Sequence, residues 1–247
     1  MVKLVGILNL TPDSFSDGGL FVDPIIAIKQ AEKLFSDGAA LVDVGAESTR
    51  PGATSLSDEE EWARLNQALP ELIQRFPGRI SVDTYHPLTA RRALALGDVI
   101  INDVTGMTNP TMIGVVAEFQ ARCIVSHLPA TEVQAAHTGQ LVNDIELIRE
   151  DLEARASILL AEGLEKEQII LDPGIGFGKT PELNGQLLEF AQYVPDFQVM
   201  IGYSRKRFLG EHRMELEPNL EAGRVAIAAG ATYLRVHDVA GHAQLLY

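Results

Sequence analysis

Cysteine is nearly absent from this chain of 247 residues: Cys123, within the apolar run 121–125, is alone. One thiol excludes an internal disulfide framework and a zinc site built on paired cysteines. The expectation for Cys123 is burial as a small hydrophobe in a reducing compartment, because a nucleophilic thiol needs solvent access that a strand interior does not offer. Positive charge is also in short supply. Twenty Lys and Arg face 34 Asp and Glu, a formal charge of −14. That balance argues against nucleic acid and anionic membranes as partners. It also means that any anionic ligand must be met by a local cluster of Arg, Lys or His. No apolar run approaches the roughly 20 residues needed to span a bilayer. The first residues, Met1-Val2-Lys3-Leu4-Val5-Gly6, lead directly into a strand without a signal-peptide layout, so a cytoplasmic location is expected. Linkers, low-complexity stretches and strong internal repeats are absent too.

What is present is a regular alternation. Short β-rich runs at 2–10, 40–45, 80–84, 99–102, 123–127, 168–172, 198–202 and 233–237 are each followed by a segment of helical period. Those segments cover 24–36, 58–76, 87–96, 110–119, 143–162, 182–193, 220–229 and 239–246. Ser57 and Glu60 have capping-box spacing and predict a helix start there. Several strands are apolar on both faces, as in Val99-Ile100-Ile101, which suits parallel strands covered by helices. Eight β–α units in about 250 residues predict one α/β domain over 1–247, a single (β/α)8 TIM barrel; a doubly wound open sheet is the alternative.

In such a barrel, chemistry sits at the C-terminal ends of the strands. The residues there are Asn9, then Glu47, Thr49 and Arg50, then Asp83, Asn102, His127 and Asp172, then Ser204, Arg205 and Lys206, and finally Arg235 and His237. Asp, Asn and Ser after a strand often only cap the next helix, a reading that suits Asp103 and Asp238. It does not account for Lys206, Arg235 and His237. Two carboxylates and two amides (Asp83, Asp172, Asn9, Asn102) suit a flat heterocycle with several polar ring atoms. Arg235, His237, Arg50 and Thr49 suit an anion such as phosphate. Residues 11–23 and 46–57 form the two long connections, with the composition of functional lids.

Other patterns carry less. Gly178-Lys179-Thr180 resembles the end of a phosphate loop, but the glycine required five positions earlier is Pro173. His237 and His242 lack zinc-motif spacing. Trp62 is expected to pack, and the acidic run 58–61 reads as a solvated face.

Four segments resemble the dihydropteroate synthases of the pterin-binding enzyme family. They are Gly6-Ile7-Leu8-Asn9-Leu10-Thr11-Pro12-Asp13-Ser14-Phe15-Ser16-Asp17-Gly18-Gly19, Asp43-Val44-Gly45-Ala46-Glu47-Ser48-Thr49-Arg50-Pro51-Gly52-Ala53, Leu171-Asp172-Pro173-Gly174-Ile175-Gly176-Phe177-Gly178-Lys179, and Ser204-Arg205-Lys206 with Leu234-Arg235-Val236-His237. The resemblance covers nearly the whole chain. It implies a transferase of folate biosynthesis that joins 6-hydroxymethyl-7,8-dihydropterin pyrophosphate to p-aminobenzoate by dissociative substitution at the pterin methylene. It further implies Asp83, Lys206 and Arg235 as catalytic residues, and Asp83, Asn102, Asp172, Lys206 and Arg235 around the pterin. Asn9, Thr49, Arg50, Arg235 and His237 would meet the pyrophosphate, with Mg²⁺ as cofactor at Asn9. Phe15, Thr49, Arg50, Pro51, Phe177, Ser204 and Lys206 would meet p-aminobenzoate. Sulfonamides are the implied inhibitors and a homodimer the implied assembly. The alternatives are a pterin-binding methyltransferase and a non-catalytic pterin-binding barrel. The chain departs from the family at Gly45-Ala46-Glu47, where a second Gly is usual, and after the fifth strand, where Ser126-His127-Leu128-Pro129 replaces a Met-His-Met turn. It is also short between residues 210 and 220 and at the C-terminal helix.

Overall fold

The computed structural model describes residues 1–11, 23–49, 52–129, 133, 135–137 and 141–246. Eight parallel strands close into a barrel in sequence order: β1 (Lys3–Asn9), β2 (Leu41–Gly45), β3 (Ile80–Asp83), β4 (Ile100–Asp103), β5 (Cys123–Ser126), β6 (Ile169–Asp172), β7 (Gln198–Ile201) and β8 (Tyr233–Val236). The helices between them are α1 (Pro24–Ser36), α2 (Asp58–Leu65), α3 (Leu69–Arg75), α4 (Pro87–Leu96), α5 (Pro110–Glu118), α6 (Ile145–Ala161), α7 (Pro181–Gln186), α8 (Leu216–Ala228) and α9 (Val239–His242). The (β/α)8 expectation holds, and the open sheet is excluded by the β1–β8 pairing.

Strand alternation builds two distinct surfaces. The outward side chains, including Leu4, Leu8, Val42, Val44, Val82, Ile101, Val125, Leu171, Val199, Leu234 and Val236, join the helices in one continuous core. Inward, Val5, Leu41, Ile100, Ile124, Ile170, Met200 and Tyr233 form a closed apolar plug. Two positions further along, five of these seven strands carry polar residues (Asp43, Asn102, Ser126, Asp172 and Arg235), so the plug is the bottom of the site. Cys123 points outward into the core, fully buried, and burial pushes its thiol up to about 12. An inert structural role follows.

Local expectations hold at several points. Ser57 and Glu60 form the capping box that starts α2: the Glu60 amide donates to the Ser57 hydroxyl at 3.3 Å and the Ser57 amide to the Glu60 carboxylate at 2.9 Å. Trp62 packs partly buried against the core. One helix, expected over 58–76, is two. The break between α2 and α3 comes where Pro70 stands in the first turn of α3, a position that needs no amide donor but cannot continue a preceding helix. Asp103 does not cap a helix, because Asn109 caps α5. Its fully buried carboxylate instead accepts from the Thr105 and Met107 amides and organises the turn after β4. Asp238 caps α9 as expected, accepting from the Gly241 amide at 2.9 Å.

The glycines after β6 shape a turn and make no phosphate loop. Gly174 has φ +66°, and a Cβ there would stand 2.1 Å from the His127 carbonyl oxygen. That carbonyl accepts from the buried Lys179 Nζ at 3.1 Å, which also donates to the Gly174 and Phe177 carbonyls at 2.9 Å each. Gly174→Ala is therefore expected to cost at least about 2 kcal/mol, combining left-handed strain with displacement of a pinned carbonyl. Urea unfolding tests this; a loss below about 1 kcal/mol would show that the turn relaxes freely.

Candidate active site

Above the plug, the next inward residues are Ile7, Asp43, Asn102, Ser126, Asp172, Gly202 and Arg235, each two positions beyond a plug residue on its strand. With Asp83 from β3 they surround a cavity of about 310 Å³, and all but Asp43 line it. The rim adds Asn9, Thr11, Glu47, Ser48, Thr49, Phe177, Lys206 and His237. Register brings the floor together: Asp83 pairs with Asn102 across β3 and β4, and Ser126 with Asp172 across β5 and β6. Gly202 leaves the space a side chain would fill, since a Cβ there would meet Asp172, Arg235 and Lys206 within 4 Å.

Most residues expected from the sequence converge here: Asn9, Thr49, Asp83, Asn102, Asp172, Phe177, Lys206, Arg235 and His237. Ser204 stands behind the wall, its hydroxyl 3.0 Å from His237 Nδ1 and 3.3 Å from the His237 amide. Phe15, Arg50 and Pro51, and most of the expected lid 11–23, lie outside the described residues.

His127 does not join them. Ser126 faces the cavity, so the next side chain on an extended chain must face away. His127 is buried with Nε2 3.6 Å from Asp151 of α6, and burial together with Lys179 and Arg155 depresses its imidazole to about 2. It is a neutral packing residue. The unusual turn after β5 is closed by packing: Leu128 is buried in a cluster with Val104, Val133 and Ala136, against which Tyr85 and Phe177 pack.

The electrostatics of the floor centre on one cation among carboxylates. Arg235 donates through Nε to Asp43 at 2.7 Å and through a terminal nitrogen to Asp83 at 3.1 Å. Burial, with the negative charge of Asp43 next, lifts the Asp83 carboxyl to about 7, against the opposing pull of Arg235. Asp172 is also raised by burial. One of its oxygens accepts from the Gly174 amide at 2.7 Å. Lys206 donates to the Ile175 carbonyl, and its ammonium lies 5.3 Å from the centre of the Phe177 ring. Burial brings it down to about 8 although Asp172 opposes the shift.

A second polar cluster stands behind the rim, and the sequence concealed it. Residues 58–61 were expected to form a solvated face. Instead Glu61 is fully buried, accepts from Thr84 Oγ1 at 2.7 Å, and is raised by burial to about 7. Its place on the core-facing side of α2 decides this: Leu65, one turn later, is buried with it. Asp58 meets His86 Nδ1 at 2.8 Å, while His86 Nε2 meets Glu47 at 3.0 Å. Burial would lower His86, but the bond to Glu47 and the surrounding carboxylates outweigh it and lift the ring to about 9. Glu47, Glu61 and His86 are a group that could hold a metal ion among the described residues. Both His86 nitrogens already face carboxylates, however, so the cluster as built is an ion-pair network. The other omission is Asp43, whose signal was available as a charge set between Val42 and Val44 inside a strand.

The model of the family described as pterin binding enzyme matches residues 5–237. The dihydropteroate synthase of Synechocystis sp. is 38% identical, over 98% of this chain and 87% of that protein. The chain belongs to the dihydropteroate synthase family. Two solved dihydropteroate synthases share its fold. The Clostridium difficile enzyme, crystallised in the presence of pteroic acid, has 34% identity and a TM-score of 0.88, with 98% of this chain and 93% of that one covered. The Yersinia pestis enzyme, in a sulfonamide drug complex, has 31% identity and a TM-score of 0.89, with coverage of 98% and 91%. None of the described helices is long and apolar enough to cross a membrane.

Proposed function

We propose that the barrel mouth joins 6-hydroxymethyl-7,8-dihydropterin pyrophosphate to p-aminobenzoate, giving 7,8-dihydropteroate and pyrophosphate in folate biosynthesis. The observation that carries this reading is one cavity whose acceptor-rich floor lies beside the basic side chains of Arg235, Lys206 and His237. Asp83, Asn102 and Asp172 offer oxygen atoms to ring N–H groups, Arg235 lies beside them across the floor, and Lys206 and His237 stand on the rim. A pterin bound on the floor sends its exocyclic methylene and the attached anion outward.

Asn9, Thr49, Arg235 and His237 would then hold the pyrophosphate, with Arg50 beside Thr49 in sequence. The carbon–oxygen bond at the methylene breaks with its electron pair leaving on the pyrophosphate. The floor carboxylates, Asp83 above all, balance the positive charge that develops on the pterin. The amine of p-aminobenzoate supplies the pair for the new carbon–nitrogen bond, and its proton passes to solvent. Phe177, Ser204 and Lys206, with Phe15, Thr49, Arg50 and Pro51, would form the second-substrate pocket. Closure of the connection 11–23 would exclude water from the reactive pterin cation.

Mg²⁺ fits the donor set near Asn9. That carboxamide shares the rim with the oxygens of Thr11, Ser48 and Thr49, and Mg²⁺ usually takes one or two protein oxygens with substrate phosphates and water completing its shell. Asn9 would hold it, and when bound it would supply positive charge to the leaving pyrophosphate. One barrel domain over 1–247, a homodimer and a cytoplasmic location complete the reading.

Product formation that requires the pterin pyrophosphate, p-aminobenzoate and Mg²⁺ together is the expected result of a turnover assay. Absence of dihydropteroate with all three present would overturn the reading. Because the loop from Glu47 to Gly52 keeps the family pattern, a sulfonamide is expected to compete with p-aminobenzoate. Turnover unchanged at saturating sulfonamide would show that the second-substrate pocket is built differently.

A further inference from the structure

Asp43 is buried without exposed surface in the layer directly above the plug, and it is the one member of that layer that does not line the cavity. An acid in such a place needs donors. It has three: the Ser81 hydroxyl, the Asn102 amide nitrogen at 3.0 Å, and Arg235 Nε at 2.7 Å. Two of these donors, Asn102 and Arg235, do line the cavity.

The chemistry of the donors fixes their orientation. Asn102 has one nitrogen and one oxygen on its carboxamide, and a carboxylate can only accept. With Nδ2 committed to Asp43, Oδ1 is the atom left for the cavity. Arg235 has a planar guanidinium, so anchoring Nε on Asp43 and one terminal nitrogen on Asp83 fixes its plane across the floor. We propose that Asp43 is a positioning residue of this site. Without touching the ligand, it holds Asn102 as an acceptor for a ring N–H group and sets the plane of Arg235. The proposal rests on the pterin reading above and adds to it the reason why a donor-bearing ring edge is selected.

Replacing Asp43 by Asn keeps the volume and removes the commitment. The new amide can donate to Asn102 Oδ1, which turns Asn102 over and offers its nitrogen to the cavity. Binding of 6-hydroxymethylpterin, measured by calorimetry, is expected to weaken by about tenfold or more in Asp43→Asn, as buried polar groups then meet the wrong partner. In an Asn102→Ala/Arg235→Ala background the same substitution is expected to add less than about twofold, because its effect runs through those two residues. Unchanged affinity in the single variant, or an undiminished loss in the triple variant, would overturn the proposal. A residue acting only through the stability of the barrel would lose affinity equally in both backgrounds.

Should Asp43→Asn fail to fold, Ser81→Ala removes one support of Asp43 and leaves both of its cavity partners. A weaker loss, again abolished in the Asn102→Ala/Arg235→Ala background, is the expected result, and an unabolished loss counts against the proposal. The clamp can also be read without ligand, from the Arg235 Nε–H signal in nitrogen-15 spectra. That signal is expected to be protected in the wild-type protein and lost in Asp43→Asn or displaced in Ser81→Ala. An Nε–H signal indifferent to these substitutions would overturn the positioning role whatever the ligand proves to be. Failure of the wild-type protein to bind 6-hydroxymethylpterin, with the signal behaving as expected, would instead count against the pterin reading.

Discussion

Arg235→Ala is expected to lower kcat/KM by roughly 30- to 1,000-fold, the equivalent of about 2–4 kcal/mol of transition-state stabilisation lost with a preorganised charge. The same substitution should also destabilise the fold, because it removes the cation between two carboxylates. Asp43 is fully buried, whereas Asp83 and Arg235 retain 22% and 23% exposure. The cost should therefore fall toward the low end of the roughly 3–5 kcal/mol typical of a broken buried pair. The pH dependence has a definite sign. Asp83 already titrates at about 7, above its ordinary range, so the folded state binds this proton more tightly than the unfolded state. Stability on this account is greatest in acid and falls as pH rises through about 7. Loss of Arg235 raises the carboxyl further and extends the fall above neutrality. Thermal unfolding of Arg235→Ala and wild type at pH 6 and pH 8 checks this; a melting deficit no larger at pH 8 than at pH 6 would refute the coupling.

Lys206→Ala should reduce kcat/KM by a similar factor, and its distinguishing mark is the pH profile. The ammonium titrates at about 8 in the ligand-free site because burial disfavours its charge. Its positive form is then lost as pH passes through about 8, and kcat/KM for the wild-type enzyme should decline on that limb. Bound anionic substrate favours the charged form of the lysine, so the decline in kcat should lie at higher pH. Lys206→Arg keeps a cation to well above pH 8 and should flatten the alkaline limb of kcat/KM while lowering its plateau, because the fork of guanidinium donors does not reproduce a single ammonium between Ile175 and Phe177. An alkaline limb that persists unmoved in Lys206→Arg would assign the titration to another group.

The two substitutions probe different halves of one design. Arg235 is held by the fully buried Asp43 and by Asp83 on the cavity floor, and Lys206 is held from the side by a backbone carbonyl of the turn after β6. The Lys206 anchorage depends on the conformation of that turn, which Gly174 and Lys179 maintain. The ring floor, the rim cations and the pinned turn thus form one mechanical unit.

The alternation of strand and helix, the eightfold count and the identity of most cavity residues were determined by the amino-acid sequence alone. The reason is that periodicity and strand-end position are local properties: two residues past each inward apolar residue is again inward, whatever the neighbours do. Asn102, Asp172 and Arg235 follow from that rule. The same local rule, applied to β5, would have turned His127 away from the mouth once Ser126 was known to face it, but the choice of which of the two faces inward belongs to barrel closure. Tertiary structure alone decided the rest. Four consecutive acids in residues 58–61 carry no mark of which one will be buried, and only the packing of α2 against the barrel puts Glu61 beside Thr84 and brings Asp58 and Glu47 to His86. Asp43 and Arg235 are separated by 192 positions and meet because the barrel closes. A charge pair of that kind is a property of closure, since the energy that makes a buried acid tolerable comes from donors on strands that no local pattern in the sequence connects.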